Sequence, residues 1–464
     1  MDMDINKLYG IFTSCGAKVT TDSRKINGGE LFFALKGENF DGNEYALQAL
    51  ERGAAYAVVD DSSPAAAAAA GESRLIPVSD TLRALWALAR HHRDRLSIPV
   101  LGLTGTNGKT TTKELINAVL STRFRTHATS GNLNNNIGVP LTVLGISPDT
   151  EIAVIEMGAS HPGDIKELVD IAAPDFGLIT NVGRAHILGF GSFEGVKATK
   201  GEMYDFIAGN VGGAGMVFVN QDNPLLVEMA ASRGFGTAQD DSVFDMEAFL
   251  GRDRIRPVPV GLVAVPYGLH YSGSAVLEAD AAHPYLRLRL ADGTPVSTNL
   301  VGSYNADNVL AALCIGRFFG VPQSDAVAAI ESYVPSNNRS QMQRTGRNVL
   351  IVDAYNANPS SMKAALDNFA GFDAAKKIVL LGDMLELGGE SVAEHLKVLR
   401  LVAEYGLEGY FVGEEFRKAG AERCFSTSDE LAAYVASHES EFSSAAILIK
   451  GSRGTRMEKV IPVL

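Results

Sequence analysis

Two apolar patterns alternate along this chain. Short, wholly apolar runs such as Ile152-Ala-Val-Ile155 and Val349-Leu-Ile-Val352 are separated by stretches in which apolar residues recur every three or four positions. A continuous apolar run bounded by polar turns reads as a strand buried on both faces, and the longer spacing reads as an amphipathic helix laid over it. The alternation predicts an α/β fold of helices layered on mostly parallel sheets.

Three blocks separate on this pattern. Residues 1–80 carry strands at Glu30–Leu35 and Ala55–Val59 and a helix near Glu44–Arg52; Pro64 followed by six alanines reads as a surface helix or loose connection. Residues 81–316 open with a helix around Leu82–Arg95 and place strands at Ile98–Leu103, Ile152–Met157, Phe176–Asn181 and Met216–Asn220. Between about 245 and 300 the rhythm changes to short alternating runs such as Tyr285-Leu-Arg-Leu-Arg-Leu290, which predict a small antiparallel excursion. Residues 317–464 return to the α/β rhythm, with strands at Asn348–Asp353, Lys377–Leu381, Gly409–Val412 and Ala445–Lys450.

Length agrees, since 464 residues exceed one ordinary core and favour about three domains. The balance of 46% hydrophobic and 20% charged residues is that of a globular protein, with no run of about 20 apolar residues to span a bilayer. The opening residues lack the basic and apolar regions of a secretory signal, so a cytoplasmic location is expected. Cys15, Cys314 and Cys424 are scattered, which argues against a disulfide framework or a structural zinc site. A net charge of −13 excludes non-specific nucleic-acid binding and requires any anionic ligand to be met by locally placed Lys and Arg. No sustained heptad or exposed apolar stripe stands out, and a monomer is expected.

The richest stretch is Val100-Leu-Gly-Leu-Thr-Gly-Thr-Asn-Gly-Lys-Thr-Thr-Thr112. An apolar strand stops at Gly105-Thr-Asn-Gly108, and a helix opens at Lys109 with Leu115, Ile116, Val119 and Leu120 on one face. Backbone N–H groups and a helix N-terminus make such a turn a phosphate cradle, to which Lys109 adds a point charge and Thr110 a hydroxyl for Mg²⁺. The strict phosphate-loop pattern has glycine where this chain has Leu103.

Four further clusters sit at predicted strand or helix ends. Glu156 ends a buried strand in the block that carries the phosphate loop, where nucleoside triphosphatases keep a Mg²⁺-holding acid. His186 follows another strand; a lone histidine there is as readily structural as functional. Lys197-Ala-Thr-Lys200-Gly-Glu202 reads locally as a solvated helix start. Val352-Asp-Ala-Tyr-Asn-Ala-Asn-Pro-Ser360 carries a strand into a polar turn suited to binding.

Together these segments resemble the ATP-dependent Mur ligases of bacterial peptidoglycan synthesis over nearly the whole chain. The resemblance also rests on Thr21-Asp-Ser-Arg24, Gly131-Asn-Leu-Asn-Asn-Asn-Ile-Gly138, Tyr304-Asn-Ala-Asp-Asn308 and Lys450-Gly-Ser-Arg453. Tyr355-Asn-Ala-Asn-Pro359 and Gly382-Asp-Met-Leu-Glu-Leu-Gly388 look like the branch that adds D-alanyl-D-alanine to UDP-N-acetylmuramoyl tripeptide. What the resemblance implies is an ATP- and Mg²⁺-dependent ligase working through an acyl phosphate, with an N-terminal UDP-substrate domain, a central ATPase domain and a C-terminal Rossmann-like domain.

It also implies roles. Gly105, Thr106, Asn107, Gly108, Lys109, Thr110 and Thr111 would hold the phosphates; Thr110, Glu156, His186 and Lys200, the last as a carbamate, would serve magnesium. Asn308 would meet adenine, Asp353 the ribose and Arg339 the γ-phosphate. Ser23 and Arg24 would lie near the uridine nucleotide; Asn135, Asn136, Tyr355, Asn356 and Asn358 would line the substrate site. Two positions depart from the family pattern: Tyr304 stands where members often carry His, and Asn338 replaces the glycine before Arg339. The competing readings are the ligase that adds the third amino acid, a folylpolyglutamate synthase, and a nucleotide-binding module without ligase activity. The first is disfavoured because Asp222-Asn-Pro-Leu225 lacks that branch's Arg and reads as a turn.

Overall fold

The structure is a computed structural model describing residues 4–209, 215–238, 261–278, 284–335 and 339–464. Its frame is three mainly parallel sheets in chain order, so the α/β expectation holds.

The first sheet runs β1 (Val19–Thr20), β2 (Leu31–Phe33), β3 (Tyr56–Asp60) and β4 (Leu75–Val78), all parallel. The alanine tract forms a short helix, Pro64–Ala67, and a 3₁₀ turn, with Ser63 capping its start. The second sheet orders its strands β10 (Gly236–Thr237), β11 (Leu262–Tyr267), β9 (Gly215–Asn220), β8 (Phe176–Ile179), β5 (Val100–Thr104), β7 (Ile152–Glu156) and β6 (Thr126–Ala128). β12 (Ala275–Leu277), β13 (Tyr285–Leu290) and β14 (Pro295–Val301) form the antiparallel excursion. The third sheet runs β15 (Gln341–Arg344), β16 (Val349–Asp353), β20 (Ala446–Lys450), β17 (Lys377–Gly382), β18 (Glu408–Val412) and β19 (Cys424–Phe425). Within it only β15 is antiparallel to its neighbour.

One expectation is corrected. β11 falls inside the span read as antiparallel, yet it pairs parallel with β9 and extends the central sheet. Its mixture of buried and half-buried positions fits its place next to the edge strand β10, where the sheet is less fully covered. The part of that span at 245–260 lies outside the described residues, as do Asn337 and Asn338.

Packing ties the blocks together. Helix Thr81–Arg93 buries Leu85 and Leu88 in a core that runs from Phe12 and Leu31 of the first block to Ile155 and Leu168 of the second. Its Arg93 is 0% exposed. The guanidinium donates to the carbonyls of Ala172 and Ala173 and pairs with Asp175 at 2.7 Å, so it satisfies the orphan acceptors at the end of helix Asp164–Ala172. On the other face of the central sheet, helix Lys109–Leu120 buries Leu115, Ile116, Val119 and Leu120 completely. At roughly 1.5–3 kcal/mol per fully buried side chain, this stripe clamps the phosphate loop's helix to its sheet. Helices Ala306–Phe318 and Gln323–Ser332 share that core through Ile315, Phe319, Val321 and Ile330, although the expected C-terminal block begins at 317. Among the described residues no helix is long and apolar enough to cross a membrane.

Candidate active site

The carboxyl ends of β5, β7 and β8 face those of β16 and β20 across a cleft of about 730 Å³. Open α/β sheets bind ligands at this end because the strand-end loops and helix N-termini project there. The phosphate-loop residues Thr106–Thr111 line it, joined by Asn135, Asn136, Glu156 and His186 from the same block. Asn308, Arg339, Asp353, Tyr355, Asn356 and Asn358 close the other side. Gly105 lies at the exit of β5, behind the lining. Two of its neighbours explain the glycines: Gly105 (φ 148°) has no room for a Cβ beside Thr180, and Gly108 (φ 78°) would bring one within 2.6 Å of Asn308 Oδ1.

Lys109 Nζ donates to the Gly105 and Thr106 carbonyls at 2.8 and 3.1 Å, curled over its own loop. Burial holds its ammonium below the ordinary lysine range; Glu156 opposes the shift and Arg339 adds to it. Thr110 Oγ1 donates to Glu156 Oε1 at 3.1 Å, and Asn134 Nδ2 donates to the same oxygen at 2.8 Å. Glu156 is 1% exposed, and its other oxygen, Oε2, has no hydrogen bond among the described residues. A buried carboxylate oxygen left bare beside a hydroxyl is a place for a cation. The donors present fit Mg²⁺, which takes few protein ligands and completes its shell with phosphate oxygens and water. Among the described residues no group of three or more His, Cys, Asp or Glu side chains is arranged to hold a metal ion by itself.

His186 adopts a left-handed backbone (φ 52°), and its Nδ1 meets Glu386 Oε2 from the C-terminal sheet. Burial lowers its pKa, while the Glu386 carboxylate pulls the other way. Lys200 corrects the local reading: it sits within helix Phe193–Gly209 rather than at a solvated start, and is 2% exposed. It lies outside the cleft lining, with Nζ 5.6 Å from the centre of the Phe190 ring. Burial drives its pKa well below the usual value, and the Lys109 charge adds to the effect.

On the far side Arg339 lies over the Tyr355 ring with Cζ 3.6 Å from its centre, a cation–π contact, and its buried Nε has no hydrogen bond among the described residues. Asp353 accepts from Lys450 Nζ at 2.5 Å. Asn308 accepts from the Thr112 hydroxyl and donates to Asn305, each at 2.9 Å. Asn107, at the tip of the phosphate loop, donates to Ser360 Oγ at 2.9 Å and accepts from Asn358 Nδ2 at 2.8 Å. Ser23 and Arg24 are not brought into this cleft: Arg24 is exposed on the first block and paired with Asp22, whose carboxyl it holds at about 2.

Sequence reading passed over Asn134, Lys450 and Glu386. Asn134 belongs to a run of asparagines in which nothing singles out the one that faces Glu156. Lys450 ends an apolar strand, a signal as clear as that at Glu156.

A phosphate loop, a strand-end acid and a second α/β unit closing over both define an ATP-dependent enzyme of multidomain α/β build. Comparison with known proteins narrows this. Residues 17–93 match the Mur ligase family catalytic domain, 103–251 the Mur ligase middle domain and 338–453 the Mur ligase glutamate ligase domain. The UDP-N-acetylmuramoyl-tripeptide–D-alanyl-D-alanine ligase of Bacillus subtilis (strain 168) is 34% identical over 463 residues, spanning 96% of this chain and 92% of the relative. Crystal structures of MurF from Acinetobacter baumannii (TM-score 0.79, 28% identity, 96% of this chain and 92% of that one) and of MurF ligase from Thermotoga maritima in complex with ADP (0.77, 25%, 96% of each) share the fold. The chain belongs to the Mur ligase family.

Proposed function

We propose that the chain joins D-alanyl-D-alanine to UDP-N-acetylmuramoyl tripeptide at the expense of ATP, acting as a cytoplasmic monomer. Supporting the substrate pair is the name shared by its relatives, that of Bacillus subtilis and that of Escherichia coli (strain K12), which is 31% identical across 96% of this chain. The observation that carries the chemistry is the meeting of Lys109, Glu156 and Arg339 in one cleft.

A carboxylate is a poor electrophile, and two anions must come together before it can be activated. In this reading the loop N–H groups and Lys109 hold the β- and γ-phosphates, and Arg339 faces the γ-phosphate from the opposite wall. Asn308 and Asp353 take the adenine and ribose. Thr110, Glu156 and His186 would hold Mg²⁺, which supplies charge neutralisation between phosphate and carboxylate. Asn135, Asn136, Tyr355, Asn356 and Asn358 hold the tripeptide end so that its terminal carboxylate lies roughly 3 Å from the transferred phosphorus. The incoming amine then attacks the acyl phosphate and phosphate leaves. The contacts of Asn107 with Asn358 and Ser360 keep bulk water from that intermediate. Ser23 and Arg24, on the separate first block, are assigned to the uridine nucleotide.

ADP release tests the reading. Turnover is expected with the tripeptide precursor and D-alanyl-D-alanine, and not with the dipeptide precursor and diaminopimelate or lysine, nor with folate substrates. Turnover only in one of the latter mixtures overturns the substrate pair and leaves the ATP chemistry standing.

A further inference from the structure

Tyr304, one of the two departures from the family pattern, stands in the 3₁₀ turn Ser303–Asn305 between β14 and helix Ala306–Phe318, and it lines the main cleft. Gly302 before it (φ 99°) leaves space for the ring, since a Cβ there would collide with Cε1. On one side the turn is tied to the phosphate-loop helix. Thr112 donates to Asn308, Asn308 to Asn305 and Asn305 to the Val301 carbonyl, each at 2.9 Å. On the other side the Tyr304 hydroxyl shares a hydrogen bond of 3.1 Å with Ser340 Oγ. Burial, with the Asp353 carboxylate adding to it, raises the pKa of this phenol, so the hydroxyl stays protonated.

Ser340 is the residue between Arg339 and β15, where the chain enters the C-terminal sheet. It is 5% exposed and held in the left-handed region (φ 45°), which a non-glycine residue adopts at a cost and keeps only when its surroundings enforce it. Three bonds enforce it. Its N–H donates to Asp353 Oδ1 at 3.3 Å, its carbonyl accepts from Val301 N at 3.3 Å, and its hydroxyl meets Tyr304. Arg339 depends on that backbone. Its guanidinium lies over the Tyr355 ring, and its buried Nε has no hydrogen bond among the described residues. Stacking fixes the distance of a cation from a ring but lets it slide across the face, so the direction of the side chain is set at its root.

We propose that Tyr304 is a positioning residue for Arg339: its hydroxyl, through Ser340, fixes where the guanidinium stands across the cleft from the phosphate loop. The proposal rests on the placement of the γ-phosphate against Arg339 in the ligase reading above. Tyr304 itself touches neither phosphate nor carboxylate in this role.

The test is calorimetric binding, with Mg²⁺, of ADP and of β,γ-imido ATP, which differ in the phosphoryl group that Arg339 faces. Tyr304→Phe removes only the hydroxyl. It should weaken the imido analogue about 3- to 10-fold, the range for one hydrogen bond, and lower kcat/KM for ATP by a similar factor. ADP affinity should be unchanged, which also shows that the variant is folded. Ser340→Ala should reproduce this pattern, and the double variant should be no worse than either single one. A parallel loss of ADP affinity would mean that Tyr304 serves the base or ribose, and it overturns the proposal; so does a Tyr304→Phe protein that binds both nucleotides as the wild type does, or a double variant in which the losses add. A wild type that shows the nucleotide pattern but releases no ADP with the tripeptide precursor and D-alanyl-D-alanine overturns the ligase reading and leaves the positioning role standing.

Discussion

The nucleotide side of the cleft and the acceptor side are built on opposite terms. Glu156, Thr110 and Asn308 on the first are 1%, 5% and 7% exposed, and each bonds to neighbours within the central block. Glu386 and Arg453 on the second are exposed, and the loops that carry them come from separate strands. A phosphate loop serves the same triphosphate in every turnover, so rigid, desolvated groups are an advantage. An acceptor is read by whatever charges the strand-end loops present, and such loops change without disturbing the sheet beneath. Chemistry is thus invested in the buried side and selectivity in the exposed one.

The harshest test of this division is Lys109→Ala. Removing the cation that curls over the loop should cost on the order of 10³-fold in kcat/KM by ADP release. If Arg453→Met proves as damaging, the two sides are not divided as described.

Next in size is Glu156→Gln. The amide keeps the oxygen that accepts from Thr110 and Asn134 but removes a buried charge whose second oxygen is bare. Activity should fall roughly 10²-fold with a raised Mg²⁺ requirement, while relief of the buried charge makes the nucleotide-free protein melt about 2–4 °C higher. Loss of activity with loss of stability would mean that Glu156 is structural.

Lys200 sharpens the same side through pH. Forming a carbamate requires the free amine, which adds CO₂ and releases a proton. Burial lowers the folded pKa, so more of the free base is present at a given pH than for an exposed lysine, and it is lost as pH falls through that lowered value. Activity should therefore drop about tenfold in CO₂-depleted buffer, most at the acid end, and return with bicarbonate, whereas Lys200→Gln should ignore bicarbonate. An enzyme indifferent to CO₂ at every pH would sink the carbamate.

What the residues disclosed beforehand follows the same divide. Strands buried on both faces, such as Ile152–Glu156 and Ala446–Lys450, announce themselves as apolar runs, and the phosphate loop as a spaced motif between strand and helix. β11 did not, because Pro266 and half-buried positions break its apolar run. Lys200 read as solvated because its burial comes from packing across the central block and leaves no mark on its own helix. Glu386 and Arg453 were quoted only as parts of longer resemblances; they line one cavity only once β17 and β20 lie side by side.

The smallest effect tests where the two sides touch. Asn107 of the phosphate loop and Asn358 of the acceptor wall share one neutral hydrogen bond of 2.8 Å, and Asn107 also holds Ser360. A net contribution of about 1 kcal/mol is ordinary for such a bond, so each single alanine variant should lose only several-fold in kcat/KM. The informative quantity is their coupling. If closure of the C-terminal loops over ATP depends on this pair, the double variant should be about as impaired as either single one, leaving an interaction energy of about 0.5–1.5 kcal/mol. Strict additivity would mean that the loop and the acceptor wall act independently. The domains would then be held together by His186 with Glu386 and Arg184 with Glu390 instead. The pair Arg184→Ala and Glu390→Ala, measured in the same cycle, should couple more weakly because both side chains are about half exposed and screened by solvent.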